Sequence, residues 1–277
     1  MSLARKISQV FGDFTMHDGV IVLTYHRVND RLPKGQLVVH PSDFKRQMGF
    51  LSFYRRRFEV IGVGEMIEWM RDLRDTVCRR TATHGVARTK IVISFDDGYR
   101  DNYIHAFPVL KKYKFTAVIS LTTDYIGSEH KNERYKNLPW KRDYLNKDEI
   151  REMMDNGISF GVHTATHPHL TEISQEEAES QIVKSRETCR ASLNLPYKFL
   201  PFCYPYGDYN EKIKEMVRKA GFKCAFSVKP GINYKGQDLF EIKRIDVTGE
   251  DSFASFKYKL TEKYVGHKDT KTQGHKV

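Results

Sequence analysis

The sequence predicts an α/β fold whose parallel strands form a closed or nearly closed barrel. First, short runs rich in Val, Ile and Phe alternate with amphipathic helical segments over most of the 277 residues, which is the pattern of a parallel sheet. Second, about seven or eight such strand–helix units follow one another, as in a (β/α) barrel. Third, Asp and His residues, whose side chains can bind metal or transfer protons, follow directly after several strands. Such barrels collect their catalytic groups at the carboxyl ends of the strands, so this placement agrees with the predicted architecture.

Eight segments have the length and composition of strands. They are Val20–Tyr25, Phe58–Gly62, Ile91–Phe95, Ala117–Leu121, Ile158–Gly161, Phe199–Tyr204, Cys224–Ser227 and Ile242–Val247. Five amphipathic helices are predicted between them, at Gly64–Arg74, Asn102–Tyr113, Asn146–Asn156, Ser174–Leu193 and Asn210–Ala220. Asn146 is a predicted N-cap, Ser174 opens a capping box and Gly221 is a predicted C-cap, so three of these helices have defined ends.

One catalytic domain is predicted over residues 20–256, between a capping segment at 1–19 and a tail at 257–277. The first residues have an amphipathic pattern, which predicts a short helix that caps the domain, with an interfacial membrane contact as the alternative. They lack the apolar core of about 7–15 residues that a secretory signal has. The tail is rich in Lys and His and poor in apolar residues, which predicts disorder.

The formal net charge of +11 predicts an anionic partner. No nucleic-acid-binding motif accompanies the charge, so we expect no specific nucleic acid and favour an anionic membrane surface or a phosphorylated carrier. A merely solvated basic face is the alternative. The four cysteines (Cys78, Cys189, Cys203 and Cys224) form no C-x-x-C pair. With no signal pattern, they predict reduced thiols and a cytoplasmic location, with association at the inner membrane leaflet as an extension of it.

Asp96 and Asp97 follow directly after the predicted strand Ile91–Phe95, in the motif S-F-D-D-G-Y. Adjacent strand residues point to opposite faces, but a turn at Gly98 would bring both carboxylates to one site. Two neighbouring carboxylates repel each other, and a bound cation relieves the repulsion by stabilising the ionised form. The natural division is that one Asp binds metal and the other transfers a proton. A plain strand-end turn is the alternative.

His163 and His167 follow the predicted strand Ile158–Gly161, in the motif H-T-A-T-H-P-H. Their spacing of four residues would place both rings on one side of a helical turn. Two imidazoles and a carboxylate leave open positions on a divalent ion, as hydrolytic chemistry requires. His169 is interpreted as a supporting or surface residue rather than a third histidine ligand. A polar, His-rich surface loop is the alternative for the whole motif.

Two further strand ends carry candidate residues. The run F-L-P-F-C-Y-P-Y-G leads into a turn that exposes aromatic faces, on which sugars pack, and backbone N–H groups, which can stabilise an oxyanion. At the end of the first strand, His26 in T-Y-H-R-V is available for proton transfer near neutral pH. An ordinary aromatic core and a core histidine are the alternatives. Because four clusters follow four different predicted strands, coincidence explains them poorly as a set.

The motifs resemble those of the polysaccharide deacetylases, the NodB-homology or carbohydrate esterase family 4 enzymes. The resemblance covers about Val20 to Val247 and rests on S-F-D-D-G-Y, H-T-A-T-H-P and Y-P-Y-G in that order. The opening L-T-Y-H-R-V looks like the subgroup that includes poly-N-acetylglucosamine deacetylases. The resemblance implies a distorted, NodB-like (β/α) barrel with about seven parallel strands and a divalent metal ion, usually zinc, as cofactor.

The resemblance also implies roles for individual residues. Asp97, His163 and His167 would be the metal ligands. Asp96 would be the general base, and the Tyr206 backbone N–H would help to form the oxyanion hole. His26 would be the candidate general acid.

The chain departs from the family pattern in two places. Cys203 stands where the third motif usually has Arg, two residues before the Pro. The late L-x-H motif is missing, and its region reads E-I-K-R-I-D. Our hypothesis is that Arg244 in this region orients Asp96 and that His26 serves as the acid.

The predicted function is therefore a metal-dependent hydrolase that removes N-acetyl groups from an amino sugar or a glycan precursor. An O-acetyl carbohydrate esterase with the same site is one alternative. A non-catalytic glycan-binding protein of the same fold is another, although such a protein would be expected to have lost Asp96 or a histidine ligand.

Overall fold

The computed structural model describes residues 18–73, 88–128, 143–193, 200–261 and 264. The predicted capping segment at 1–19 lies outside these residues except for its last two positions, and so does most of the predicted tail at 257–277. The structure described below therefore belongs almost entirely to the predicted catalytic domain.

Short strands form the frame of the domain. They are β1 (Val20–Tyr25), β2 (Arg27–Val28), β3 (Val38–Val39), β4 (Phe58–Val60), β5 (Thr89–Phe95), β6 (Val118–Leu121), β7 (Ser159–Val162), β8 (Pro201–Cys203), β9 (Cys224–Phe226) and β10 (Ile245–Asp246). All but β2 and β3, which pair with each other, belong to one sheet in which every pairing between strands is parallel. Each of the eight predicted strands corresponds to a strand of this sheet.

The sheet curls nearly back on itself. Its strands follow the order β10-β1-β5-β6-β7-β8-β9, and β4 pairs with the first half of β5. The segment before β10 reaches the far end of this order, because Ile242 forms a parallel bridge with Phe226 of β9. A few residues later, Ile245 pairs with Leu23 of β1. The prediction of a distorted barrel with about seven parallel strands is therefore confirmed.

Seven α-helices are described around the sheet. They are α1 (Pro41–Phe53), α2 (Val63–Arg71), α3 (Phe107–Tyr113), α4 (Lys147–Asp155), α5 (Gln175–Leu193), α6 (Glu211–Lys219) and α7 (Phe253–Lys259). The five predicted helices correspond to α2 through α6. Asn146 caps α4 as predicted, because its side chain accepts the Glu149 N–H at 2.8 Å. A π-helical stretch, Asn102–Ala106, precedes α3 within one predicted helix.

Helices α1 and α7 have no counterpart among the predicted helices. They pack together through Arg46, whose guanidinium lies 4.1 Å from the centre of the Phe253 ring. Helix α7 also continues past residue 256, the predicted boundary between the catalytic domain and the tail. Among the described helices, none is both long enough and apolar enough to cross a bilayer.

The alternation of side chains along the strands decides which residues face the inside of the barrel. Val20 and Val22 of β1 and Val92 of β5 face inward and join a buried cluster with the apolar side of α2. The residues between them belong to a larger cluster beneath the surrounding helices. Along β5 the inward series continues through Ser94 to Asp96, and both are buried. The strand thus delivers a carboxylate to the inside of the barrel at its carboxyl end.

Candidate active site

Asp96 and Asp97 lie side by side after β5, as predicted. Asp97 has a left-handed backbone (φ 73°), and Gly98 follows with φ 75°. This sharp turn lets both carboxylates reach one site. A Cβ atom at Gly98 would lie 2.8 Å from Cδ2 of Leu121, so the turn requires glycine for space as well as for its backbone conformation.

His163 and His167 meet after β7, although the predicted helical turn between them is wrong. Thr164 and His167 have left-handed backbones (φ 64° and 65°), so the segment forms an irregular turn instead. Oγ1 of Thr164 accepts the His167 N–H at 3.0 Å and stabilises this turn. The Nε2 atoms of the two rings lie 3.0 Å apart.

Both histidines converge on Asp97. Its Oδ1 lies 3.5 Å from Nε2 of His163 and 3.4 Å from Nε2 of His167. Tetrahedral zinc, with ligand atoms at about 2.0–2.2 Å, separates neighbouring ligands by about 3.3–3.6 Å. The triangle of ligand atoms therefore has close to the size that such an ion requires.

The protonation of the two rings also suits a cation. Nδ1 of His163 lies 2.8 Å from the Cys203 carbonyl oxygen, which can only accept. Nδ1 therefore carries the proton, and Nε2 presents its lone pair to the other ligands. Burial, and after it His163, lowers the pKa of His167 to about 4, so this ring is neutral near pH 7. The donor set of Asp97, His163 and His167 fits a divalent metal ion.

Arg244 fixes Asp96 beside this triad. Its Nη1 lies 2.8 Å from each carboxylate oxygen of Asp96, and its Nε donates to the Ser227 carbonyl at 2.7 Å. Burial by itself would raise the pKa of Asp96, but Arg244, with smaller contributions from His163 and His26, lowers that pKa well below its usual range. Asp96 is therefore ionised and held in one orientation, and Arg244 stands where our hypothesis requires it.

Cys203 adjoins the same carboxylate, with Sγ 3.5 Å from Oδ1 of Asp96. Asp96, His163 and Cys203 form a second group whose ligand atoms lie within 4.8 Å of one another. Burial raises the pKa of Cys203 well above its usual value, so the thiol stays protonated. Because Arg244 already neutralises Asp96, this second group is poorly suited to a cation.

His26 lies on another side of Asp96. Its Nε2 is 3.9 Å from Oδ2 of Asp96, and the His26 side chain is 24% exposed, so an incoming molecule can reach it. Nδ2 of Asn102 donates to the His26 carbonyl at 2.9 Å and fixes the backbone there. The structure thus brings the predicted acid and the predicted base together.

Arg27, the next residue, is fully buried but is not among the predicted site residues. It donates to Asp101 at 2.7 Å and to Asp143, and its guanidinium lies 3.6 Å from the centre of the Tyr99 ring. The available signal was an arginine two residues after an apolar strand and next to Val28, because a guanidinium that is buried there requires carboxylate partners. Because Arg27 directly follows His26, this buried network fixes the backbone next to His26.

Tyr206 lies in the 3₁₀ turn Pro205–Gly207 with a left-handed backbone (φ 56°). Its ring is stacked on His169, with centroids 3.6 Å apart and planes 5° from parallel. Nδ1 of His169 lies 2.6 Å from Oδ2 of Asp208. The Tyr206 ring also makes a T-shaped contact with the His167 ring, with centroids 4.6 Å apart. His169 therefore supports the turn, in agreement with its interpretation as a supporting residue.

The predicted site residues line a cavity of about 600 Å³: His26, Asp96, Asp97, His163, His167, Tyr206 and Arg244. An aromatic wall lines one side, where Tyr144 lies 5.2 Å from Tyr99 and 5.0 Å from Tyr125 between ring centroids. The Tyr125 hydroxyl donates to the Thr166 carbonyl at 3.2 Å and ties the wall to the histidine turn. None of the predicted site residues belongs to this wall, although Tyr125 follows β6 so closely that the strand-end rule points to it.

Comparison with known proteins places these motifs in one family. Residues 84–225 match the family model described as polysaccharide deacetylase. YxkH of Bacillus subtilis, whose name refers to the same family, is 29% identical over 166 residues, which cover 60% of this chain and 54% of that protein. The poly-β-1,6-N-acetyl-D-glucosamine N-deacetylase of Staphylococcus aureus is 29% identical over 176 residues, or 60% of this chain and 57% of that enzyme. The chain thus matches little more than half the length of these relatives.

Solved structures agree on the fold. The deacetylase PplD of Streptococcus pyogenes superposes with a TM-score of 0.70 at 21% identity, over 87% of this chain and 98% of that one. IcaB of Ammonifex degensii superposes with a TM-score of 0.70 at 23% identity, over 88% of this chain and 98% of that one. Since the family model matches half of the sequence and includes the twin aspartates and both histidines, the chain belongs to the polysaccharide deacetylase family.

Proposed function

We propose that this protein is a metal-dependent hydrolase that removes N-acetyl groups from an amino sugar or from a glycan that contains one. The observation that carries the proposal is the contrast between the two neighbouring aspartates. Asp97 shares its Oδ1 with two histidine nitrogens at 3.4–3.5 Å, whereas Asp96 is held apart by Arg244. One carboxylate is arranged to bind a cation, and the other stays free of it to accept a proton.

Asp97, His163 and His167 would hold the divalent ion, and zinc suits two neutral imidazoles and one carboxylate. The ion, when bound, supplies Lewis-acid activation of the acetyl carbonyl and of water. The Cys203 carbonyl keeps His163 in the tautomer that offers Nε2 to the ion. The protein therefore supplies the orientation of each ligand.

Asp96 and His26 would divide the proton transfers. The Asp96 carboxylate, ionised and oriented by Arg244, takes up the proton that the attacking water loses. His26 gives a proton from Nε2 to the departing amine. The 3.9 Å between Nε2 of His26 and Oδ2 of Asp96 supports this division, because one bound substrate could contact both groups. Proton transfer by a positioned side chain typically contributes about 10²–10⁴-fold to the rate.

Tyr206 would serve in two ways. Its backbone N–H would donate to the oxyanion of the acetyl carbon, a contribution typically of about 3–4 kcal/mol. Its ring, 53% exposed and backed by His169, offers an aromatic face at the rim of the cavity. The wall around Tyr144 lies in the same cavity, so a sugar ring can pack against aromatic surface there.

The substrate class is proposed from the relatives. The Staphylococcus aureus relative is named as an N-deacetylase of poly-β-1,6-N-acetyl-D-glucosamine. An amine leaves less readily than an alcohol, so a dedicated acid such as His26 matters more for amide than for ester hydrolysis. This supports N-deacetylation over cleavage of an O-acetyl ester. The cytoplasmic location stays a prediction, and it favours a nucleotide- or lipid-linked precursor as the natural form of the sugar.

The test is acetate release by the full chain, stripped with chelator and resupplied with single divalent ions. Candidate substrates are β-1,6-linked N-acetylglucosamine oligomers, UDP-linked and lipid-linked N-acetyl sugars, and acetylated xylan. We expect release from an N-acetyl sugar that requires an added ion, with zinc among the active ions. Faster release from xylan would favour the O-acetyl esterase. Glycan binding without release from any substrate would favour the non-catalytic alternative.

Replacing His26 with Gln tests the acid role. We expect hydrolysis of an N-acetyl sugar to fall by about 10²-fold or more, while hydrolysis of p-nitrophenyl acetate, whose leaving group needs no proton, changes far less. His105→Gln is the matched control, because His105 is a half-buried histidine near Asp30 and outside the cavity. Equal losses on both substrates would contradict the acid role and indicate a general defect of the site.

A further inference from the structure

An arginine run lies at the opposite end of the barrel from the cavity. Arg55, Arg56 and Arg57 occupy the turn between α1 and β4, and all three are exposed. Within the part of the chain that the structure describes, none of them has a carboxylate within ion-pair distance. Three adjacent guanidinium groups that repel one another are left facing solvent, which favours an anionic partner.

Arg88 extends this surface from the start of β5. It is also exposed, and its Nη2 lies 3.3 Å from Oε1 of Glu59. A shallow depression of about 740 Å³ lies between the four arginines, with Phe58, Val60 and Phe115 among its lining. Guanidinium groups around a partly apolar floor suit a phosphodiester joined to apolar chains better than a fully hydrated anion.

Phe53 adds an apolar contact beside the run. It is the last residue of α1, and at 80% it is the most exposed large apolar side chain among the described residues. An exposed phenylalanine next to a basic cluster is the combination by which peripheral proteins insert into the headgroup region of a bilayer. We name the group formed by Phe53, Arg55, Arg56, Arg57 and Arg88 the basic face.

The basic face is separate from the active site. It lies where β4 and β5 begin, whereas the catalytic candidates follow the ends of the strands. The seven residues of β5 alone span about 23 Å. A partner on the basic face would therefore leave the cavity open, with its mouth directed away from that partner.

We propose that the basic face docks this protein on an anionic lipid bilayer, with Phe53 inserted among the headgroups. Charge complementarity supplies the attraction. Each arginine close to the membrane surface raises the affinity by up to several-fold. The apolar floor and Phe53 favour a bilayer over nucleic acid, since they match the boundary between headgroups and acyl chains. This proposal stands independently of the deacetylase activity.

The experiment is co-sedimentation of the full chain with vesicles of phosphatidylcholine, alone or with about one third phosphatidylglycerol. We expect binding only to the anionic vesicles. The charge-reversed variant Arg55→Glu/Arg56→Glu/Arg57→Glu should bind at least about tenfold more weakly, and Phe53→Ser should bind severalfold more weakly. The matched control Lys147→Glu/Lys212→Glu/Lys219→Glu changes the net charge equally, at exposed positions of α4 and α6. Its affinity for the anionic vesicles should fall by less than half of the decrease seen for the arginine variant.

Two outcomes would overturn the proposal. Equal weakening of the arginine and lysine variants would show that overall charge, rather than the basic face, drives binding. Release of the protein from vesicles by a modest excess of duplex DNA or inorganic phosphate would show that the face prefers another anion. Circular dichroism of each variant separates loss of binding from loss of fold, and acetate release is not needed for the test.

Discussion

Replacing Asp96 with Asn is expected to reduce acetate release by about 10²–10⁴-fold while cation binding survives. The amide keeps the shape of the side chain and its oxygen can still accept from Arg244, but it cannot take up a proton. Asp96 is not one of the three converging ligands, so the affinity for zinc should change little. Steady-state acetate release and metal content by mass spectrometry measure the two quantities on the same preparation.

The matched variant is His163→Ala, in which loss of the metal comes first and loss of activity follows from it. Removing Nε2 leaves two ligands, so we expect the protein to retain little zinc after dialysis and to lose activity for that reason. A high zinc concentration should restore part of the activity of this variant and none of that of Asp96→Asn. Equal loss of metal in both variants would show that the two aspartates do not have separate roles.

Replacing Arg244 with Ala is expected to impair both turnover and stability. Arg244 and Asp96 are both buried, at 2% exposure each, so the substitution leaves a buried carboxylate without its main partner. Breaking such a pair typically costs about 3–5 kcal/mol in the free energy of unfolding. The pKa of Asp96 should rise when Arg244 is removed, because burial then acts with less opposition. Turnover should fall because the carboxylate is no longer held in one orientation, and the acid limb of the pH profile should move to higher pH. Both are measured beside denaturant unfolding.

A second substitution tests whether the guanidinium, rather than the local backbone, is what matters. Cys203 adjoins the same carboxylate at 3.5 Å, and it occupies the position at which the family usually has arginine. Cys203→Arg in the Arg244→Ala background should therefore recover part of the lost turnover. Arg218→Ala on the surface of α6 serves as the control for loss of an arginine. Full turnover in Arg244→Ala alone would refute the orienting role.

The elements with strong periodicity could be predicted from the sequence, and the others could not. The strands of the large sheet are short apolar runs bounded by breakers, so each was recognisable by itself. Helix α1 was not predicted, although Pro41 in the first turn and the spacing of Phe44, Met48 and Leu51 are consistent with a helix. Strands β2 and β3 have two residues each, which is too short for any pattern.

At the site, residue types were predictable, whereas backbone conformations were not. The spacing of His163 and His167 correctly brings their rings together, but left-handed residues rather than a helical turn achieve it. The left-handed conformations of Thr164 and His167 depend on local contacts, such as the hydrogen bond from the His167 N–H to Oγ1 of Thr164. The spacing of residues in the sequence does not reveal such contacts. The aromatic wall around Tyr144 likewise arises from packing between distant segments.

The pairing of Ile245 with Leu23, which joins the last strand to the first, has a consequence for how the family should be delimited. The segment matched by the family model, residues 84–225, contains every candidate cation ligand but neither His26 nor Arg244. A fragment cut to that segment would carry the means to hold an ion and lack the groups that flank Asp96. Sequence surveys that score only the shared segment will thus miss His26 and Arg244, the two positions at which we propose that proton transfer is arranged differently in this chain.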